Sequence, residues 1–220
     1  MSIIKSYCKI HPDSVCLNGK MFFAPSPLYP FIMNDFFSAI YERMRIDYRK
    51  FFKMDALSKL GFLASELLLK GSDREEPKQD MGIILFNRSS SLEADMTYQK
   101  TIQDKNDFYP SPAEFVYTLP NIVTGEIAIR NKIVGETAFY VMPEFYANTI
   151  SEMIEYTMHY AGLKCALAGW VEIDIFNNSL NCLMILCATK LSNLPAGLEN
   201  IYAGEPLCLN DSNLIDLCNY

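Results

Sequence analysis

The spacing of apolar residues changes several times along the chain, and each change predicts a different element. Residues 3–10 alternate loosely between apolar and polar side chains, which is typical of a strand. Residues 81–86 form a continuous apolar run, as expected of a strand that is covered on both faces. We predict three further strands, at residues 136–141, 164–173 and 181–190.

Other segments carry apolar residues three and four positions apart, which predicts amphipathic helices. These helices are expected at residues 33–44, 55–70 and 146–161, with another that begins near Leu92. Ser111-Pro112-Ala113-Glu114 has the pattern of a capping box with proline in the first turn, so a further helix should begin there. Pro120 should interrupt that helix, which then resumes and continues to Asn131.

The predicted elements follow the order strand, helices, strand, helices, strand, helix, strand, strand. Helices that alternate with buried strands are typical of a layered α/β domain, and 220 residues suit one domain of this kind. Asn177-Asn178 suits a hairpin turn between the last two strands. Residues 17–30 are expected to form a loop with a turn at Asn18-Gly19, and the tail after Ser192 should be irregular. We therefore predict a single α/β domain over residues 1–220.

The composition supports a folded chain and narrows the choice of partners. Half of the residues are hydrophobic, which is enough for a large core and argues against a long disordered chain. The net charge is −7 and the isoelectric point is near 4.9. Nucleic acids bind to basic surfaces, so this charge argues against nucleic acid as a partner. It does not exclude an acidic carrier protein, which needs only a local basic patch.

The chain has seven cysteines and two histidines but no CxxC pair. Several cysteines lie inside apolar runs, as Cys165 and Cys182 do, which favours buried free thiols in a reducing compartment. This pattern gives little support to a Cys/His metal site. The first residues do not resemble a signal peptide, and there is no apolar stretch of about 18 residues. We therefore expect a cytoplasmic protein without a membrane span.

Ionisable residues offer few candidates for chemistry. The chain contains neither a glycine-rich phosphate loop nor a GxSxG turn. We interpret His11 and His159 as structural residues, and Glu152 and Glu155 as part of a solvated helix face. Glu144 differs, because it falls in the turn between a strand and a helix, where α/β folds often present a functional residue. A plain capping role at the N-terminus of that helix is the alternative.

Four segments resemble the N-terminal domain of β-ketoacyl synthases, in the order in which that family has them. Residues 111–130, SPAEFVYTLPNIVTGEIAIR, followed by Gly135, resemble the segment that leads into the nucleophile strand. Within it, residues 124–130 resemble chain-length factors, the inactive partners of ketosynthases. Residues 49–55 resemble the family's basic segment before its second helix, and residues 166–169 resemble its LAGG strand motif. Over about residues 1–190, the chain is similar to half-length proteins of the chain-length-factor type from aryl-polyene and flexirubin-like clusters.

The resemblance implies a fold. The family has a thiolase-type fold, in which a full-length chain contains two similar halves. The order of elements predicted above matches the N-terminal half, and the second half should begin where this chain stops. The expectation is therefore a layered thiolase-like α/β half, βαβαβαββ, with a five-stranded mixed sheet and helices on both faces.

The resemblance also implies that the condensing residues are missing. In condensing members the nucleophilic cysteine lies nine residues after the glycine that corresponds to Gly135, and this count leads to Glu144. Counting back from Ala168-Gly169 leads to about the same position, and no cysteine lies between Cys16 and Cys165. A carboxylate cannot replace the low-pKa thiolate that forms an acyl thioester. Chain-length factors carry glutamine there, and the family's two catalytic histidines belong to the missing half, so no catalytic residue is assigned.

A non-catalytic, ketosynthase-like accessory subunit in fatty-acyl, polyketide or aryl-polyene biosynthesis is the function that the resemblance implies. Its partners would be a full-length ketosynthase, which supplies the cysteine and the histidines, and an acyl carrier protein. No cofactor is implied. Two alternatives remain open at this point. One is a homodimeric acyl-binding or scaffold protein without a ketosynthase partner. The other is an enzyme with its own chemistry at Glu144, for example malonyl decarboxylation.

The same resemblance also implies a subunit interface and a set of gate residues, which would limit the partner's acyl tunnel. Subunits of the family pair through the third strand into homo- or heterodimers, and here the corresponding residues are Glu136, Thr137, Ala138, Phe139, Tyr140 and Val141. The helix with Phe115, Thr118 and Ile122, spaced i, i+3 and i+7, would lie beside that interface and limit the depth of the partner's acyl tunnel. Pro120 lies between Thr118 and Ile122 and interrupts the helical spacing of this face. Ordinary core packing of the three residues is the alternative.

Overall fold

A computed structural model describes residues 2–26, 30–189, 207–210, 212–214 and 217. Among these residues the strands are β1 (Ser2–His11), β2 (Ser14–Leu17), β3 (Lys20–Phe23), β4 (Met81–Asn87), β5 (Thr137–Val141), β6 (Cys165–Asp174), β7 (Ser179–Thr189) and β8 (Leu207–Cys208). The α-helices are α1 (Met33–Met44), α2 (Ala56–Leu68), α3 (Leu92–Ile102), α4 (Pro112–Tyr117), α5 (Ile122–Asn131) and α6 (Ala147–Tyr160), and a short 3-10 helix spans Arg49–Lys53. The end of the last predicted strand, at residue 190, and most of the tail after Ser192 lie outside the described residues.

All of the described strands belong to one mixed sheet. Its order is β3-β2-β1-β7-β6-β4-β5, and β8 pairs with β1. The layered α/β class with a mixed sheet is confirmed, but the predicted count of five strands is wrong. The five expected strands form the part of the sheet from β1 to β5. The additional strands β2, β3 and β8 are all short and extend the sheet beyond β1.

The hairpin of β2 and β3 replaces the first half of the loop that was predicted at residues 17–30. Asn18 and Gly19 both have positive φ angles, 50° and 74°, as a two-residue hairpin turn requires. The Asn18 side-chain oxygen accepts hydrogen bonds from the Tyr7 backbone N–H at 2.8 Å and from the Ser6 hydroxyl at 3.0 Å. These bonds fix the turn against β1, so two four-residue strands form although each is too short to show a clear apolar period.

The two faces of the sheet carry separate apolar cores. Helices α1, α2 and α5 cover one face, and α6 covers the other. Successive residues of β4 enter opposite cores, Ile83 and Leu85 on the first face and Ile84 and Phe86 on the second. This double burial explains the continuous apolar run, because each such side chain contributes roughly 1.5–3 kcal/mol when it is buried. The prediction of helices on both faces is confirmed.

The order of strands brings three chain segments to one end of the sheet. Strands β5 and β6 both run parallel to β4 and lie on either side of it. The carboxyl ends of the three strands therefore meet at the same edge. The β4–α3 turn, the β5–α6 turn and the β6–β7 hairpin lie there together.

Candidate functional site

Glu144 lies in the turn between β5 and α6. The turn is fixed at its start by the Met142 backbone N–H, which donates to the Asn87 carbonyl oxygen at 2.8 Å. It is fixed at its end by the first helical bond, from the Ile150 N–H to the Tyr146 carbonyl oxygen at 2.9 Å. The Glu144 side chain is exposed, and it lines a surface depression at the carboxyl ends of the strands.

This depression, which we call the Glu144 depression, has a volume of about 310 Å³. Its lining comes from the ends of four strands and consists of Arg88, Pro143, Glu144, Phe145, Trp170, Glu172, Asp174, Ser179, Leu180 and Asn181. The Phe145 ring meets Trp170 edge to face, with 5.8 Å between ring centroids. These two rings therefore form an apolar wall, and the remaining lining is mostly charged or amide.

Glu172 and Asp174, at the end of β6, both contact the β4–α3 turn. Glu172 is 6% exposed, and its carboxylate accepts hydrogen bonds from the backbone N–H groups of Arg88 and Ser89 and from the Ser89 hydroxyl. Asp174 lies 3.6 Å from the Arg88 guanidinium. Hydrogen bonds from Asn177 lower the pKa of Asp174, so this carboxylate is ionised at neutral pH. Neither Glu172 nor Arg88 was among the functional residues predicted from the sequence.

The lining of the Glu144 depression contains neither the thiol nor the imidazole that a condensing site uses, since none of its residues is Cys or His. Four thiols in the described ranges, Cys8, Cys165, Cys182 and Cys187, are buried, as expected, and a fifth, Cys16, is partly exposed. Burial raises the pKa of the Cys165 thiol to about 12, and it raises the pKa values of Cys8, Cys182 and Cys187 as well. Because only a thiolate attacks a thioester, these buried thiols are inert at neutral pH.

The candidate gate residues lie on two helices rather than on one. Phe115 belongs to α4, is 51% exposed, and has its ring centroid 5.4 Å from that of Tyr98 on α3. Thr118 caps the end of α4, and its carbonyl oxygen accepts a hydrogen bond from the Ser91 hydroxyl at 2.5 Å. Ile122 is the first residue of α5. None of the three lines the Glu144 depression, and their proposed role at an acyl tunnel stays a prediction.

The candidate interface strand, β5, is the last strand in the order of the sheet. Pairing with β4 uses the Glu136 carbonyl oxygen and the Met142 N–H, so even-numbered backbone groups face β4. The backbone groups of Thr137, Phe139 and Val141 therefore face away from it, and no other strand in the described ranges pairs with them. Of the other predicted interface residues, Glu136 lies just before β5, and Ala138 and Tyr140 lie within it with their backbone groups towards β4.

A second and larger cavity, of about 630 Å³, lies between α1, the 3-10 helix, α2, α3, α4 and the β6–β7 hairpin. Its ionisable lining includes Asp55, Lys59, Glu93 and Tyr117. Burial raises the pKa of Asp55 to about 6, although hydrogen bonds from Ser58 act in the opposite direction. Burial also lowers the pKa of Lys59 and raises that of Tyr117. The sequence did not indicate this cavity, because its walls come from five separate helices.

The raised pKa of Asp55 should make the chain less stable as pH increases from about 4 to about 6. The folded chain binds this proton more tightly than the unfolded chain, so the stabilisation is complete below about pH 4 and is lost as pH rises through about 6. Asp55→Asn preserves an N-cap for α2 and removes the titration. The urea midpoint of this variant should therefore rise relative to the wild-type midpoint as pH increases over that window, because only the wild type loses the Asp55 contribution. Parallel pH profiles for the two proteins would contradict the assignment.

The described ranges contain neither a membrane-spanning helix nor a cluster of metal ligands. None of the helices there combines the length and the apolar character needed to cross a bilayer. In the same ranges, no three His, Cys, Asp or Glu side chains are grouped in a way that could hold a metal ion.

Comparison with known proteins gives matches among solved structures only; no family model and no curated protein matches the chain. The chain is similar to the ishigamide ketosynthase/chain length factor, with a TM-score of 0.62 and 15% identity, over 88% of this chain and 63% of that one. It is also similar to a ketosynthase in complex with its chain length factor from Xenorhabdus doucetiae, with a TM-score of 0.56 and 13% identity, over 86% and 79% of the two chains.

A third similar structure is a type II PKS acyl-carrier protein in complex with its ketosynthase bound to the hexaketide. Its TM-score is 0.54 at 13% identity, and the match covers 86% of this chain and 62% of that one. The chain thus spans a little under two thirds of the length of the first of these relatives. At these identities the likeness concerns the fold, and it confirms the sequence resemblance at that level: the chain has the fold of a large part of a ketosynthase or chain-length-factor chain.

Proposed function

We propose that residues 1–220 form a single domain that acts as a non-catalytic accessory subunit of the chain-length-factor type. It would pair with a full-length ketosynthase in fatty-acyl, polyketide or aryl-polyene biosynthesis, and a cytoplasmic location fits that role. The observation that carries the proposal is Glu144, in the strand-to-helix turn where a condensing relative would need its cysteine. A carboxylate there cannot form the acyl thioester on which condensation depends.

The open edge of β5 supports pairing with another subunit. Unpaired backbone N–H and C=O groups on an edge strand favour pairing with a strand of another chain. Exposed apolar side chains lie on the same part of the fold: Val141 is 54% exposed at the end of β5, Val134 is 53% exposed just before it, and Ile129 is 68% exposed on α5. Such a combination is typical of an interface rather than of a solvated surface.

A local basic surface supports contact with an acidic carrier protein. Between the last turn of α1 and the start of α2, the side chains of Arg43, Arg45, Arg49 and Lys53 are all exposed, and one exposed carboxylate, that of Asp47, lies among them. Lys50, in the same segment, is bound to the buried Glu126 carboxylate at 2.8 Å and is less available. On a chain with a net charge of −7, this cluster is well suited to steer an acidic partner.

The experiment that tests the function is affinity capture of the tagged chain from its native organism, with mass spectrometry of the proteins that elute with it. The proposal expects a full-length ketosynthase, with its cysteine and both histidines, in a one-to-one ratio. Recovery of the chain only with itself, as a stable homodimer, would instead favour a scaffold or acyl-binding protein. A monodisperse monomer at micromolar concentration, both alone and with the purified ketosynthase, would contradict pairing altogether.

Thr137→Pro should weaken the complex by at least about tenfold in Kd. Thr137 is the first residue of β5, a position that tolerates proline in the sheet, and its N–H faces the open edge. Proline removes this donor from any strand that pairs there. Thr137→Val is the matched control, because it keeps the N–H and the β-branched shape. Equal affinities of the two variants in a titration against the ketosynthase would exclude β5 as the pairing edge.

Phe115→Ala should lengthen the products of the complex. If Phe115 limits the depth of the partner's acyl tunnel, a smaller side chain leaves room for additional methylene groups. Because Phe115 is half exposed, the substitution should cost the isolated chain little stability. Products would be compared by mass spectrometry, with Val116→Ala, at a neighbouring exposed position of the same helix, as the control. Unchanged product length in a stable Phe115→Ala complex would remove Phe115 from the gate.

A further inference from the structure

The β4–α3 turn directs three hydrogen-bond donors at one carboxylate. The Arg88 backbone N–H lies 2.6 Å from one oxygen of Glu172, and the Ser89 N–H lies 3.3 Å from the same oxygen. The Ser89 hydroxyl donates to the other oxygen. Two successive backbone N–H groups and a hydroxyl that converge in this way are a common arrangement for binding an anion.

Contacts other than those of Glu172 hold this turn in shape. The Asn87 side-chain oxygen accepts from the Ser90 N–H at 2.9 Å, and its amide nitrogen donates to the Ser90 carbonyl oxygen at 2.8 Å. Ser90 has a φ of 54°, a conformation that the two bonds stabilise. The Ser91 hydroxyl ties the end of the turn to α4 through the Thr118 carbonyl oxygen. The donors should therefore remain in place when Glu172 is removed.

Amide donors, rather than a cation, compensate the charge of Glu172. Among the described ion pairs, none joins a lysine or arginine to this residue, and the nearby Arg88 guanidinium is directed at Asp174. A carboxylate with 6% exposure is costly to bury unless hydrogen bonds replace its water, and the three donors supply them.

We propose that the Arg88 and Ser89 N–H groups and the Ser89 hydroxyl form a receptor for a small carboxylate, and that Glu172 occupies it as an internal ligand. Both Arg88 and Glu172 line the Glu144 depression, so the receptor opens onto it. In the wild-type chain all three donors are bonded to Glu172, so a carboxylate from solution cannot bind to them. The proposal goes beyond the accessory function and does not depend on it.

The experiment is chemical rescue of Glu172→Ala by acetate. This variant should unfold at a lower temperature than the wild type, and acetate at about ten times its dissociation constant should raise the midpoint by about 3 °C. The wild type should not respond, because its receptor is filled. Sodium chloride at equal ionic strength and acetamide, the neutral analogue of acetate, should have no such effect. A folded Glu172→Ala variant whose midpoint responds equally to acetate and chloride would overturn the proposal.

Asp174→Ala is the matched control. Asp174 also accepts two backbone N–H groups, from Phe176 and Asn177, but its side chain is 21% exposed, compared with 6% for Glu172. Acetate should not stabilise this variant. If Glu172→Ala does not fold, Glu172→Gln keeps the side-chain shape and removes the charge. The Arg88 and Ser89 amide proton resonances should then move upfield relative to the wild type, and unchanged resonances would contradict the receptor.

Discussion

Gly169→Ala is expected to destabilise the fold by about 3 kcal/mol or more, or to prevent folding. Gly169 has a φ of +144°, a conformation that residues with a Cβ atom rarely adopt. A Cβ atom at this position would lie 2.0 Å from the Leu183 carbonyl oxygen of β7. That contact is with backbone in a paired central strand, so it cannot be relieved by the rotation of a side chain. The strands β6 and β7 would have to separate where both cores meet.

Urea unfolding of Gly169→Ala, followed by circular dichroism, measures this effect. Gly125→Ala is the control, because Gly125 lies inside α5 and a Cβ atom there meets nothing within 4 Å. Alanine in a helix interior should stabilise the chain by up to about 1 kcal/mol. The two glycine-to-alanine substitutions should therefore act in opposite directions. A Gly169→Ala midpoint close to that of the wild type would mean that β6 and β7 approach each other less closely than described.

The central elements of the fold were predictable because their apolar patterns are strong. The run at residues 81–86 has apolar side chains on both faces, and only a strand between two helical layers buries both. The hairpin of β2 and β3 was not predictable in this way. Its strands have four residues each at the edge of the sheet, so their apolar residues show no regular period. There, the side-chain contacts of Asn18 determine the structure more than the pattern does.

The place of Glu144 in the candidate site was predictable, because it depends only on position relative to neighbouring elements. Glu144 follows a strand and precedes a helix, and a chain position relative to such elements can be counted along the sequence. The contact of Glu172 with Arg88 and Ser89 could not be found by counting positions along the sequence. It depends on β6 lying beside β4, a neighbour relation that periodicity does not determine. The only signal in the sequence was a charged residue within an otherwise apolar strand, since Glu172 interrupts the run of apolar residues in β6.

No condensation of acyl and malonyl thioesters is expected from the isolated chain, and Glu144→Cys should not create it. The substitution would supply a thiol in an exposed turn, but not the imidazoles that polarise the malonyl carbonyl. His11, at the end of β1, is four strand positions from β5, or about 19 Å. His159 is near the far end of α6, about 18 Å along the helix from its start beside Glu144. Neither histidine lines the Glu144 depression.

Product formation from acyl and malonyl thioesters would be measured by mass spectrometry with the wild type, Glu144→Ala and Glu144→Cys. Labelling of Glu144→Cys with a thiol reagent beyond the wild-type level, to which Cys16 contributes among the thiols that the structure describes, would show that the new thiol is accessible. Absence of product would then reflect the missing imidazoles and not a buried sulfur. Product from the wild type that disappears in Glu144→Ala would contradict the accessory function, because it would require chemistry at the glutamate itself. Product from Glu144→Cys alone would mean that the chain holds its own groups for polarising malonate, and that the thiol was the single part that it lacked.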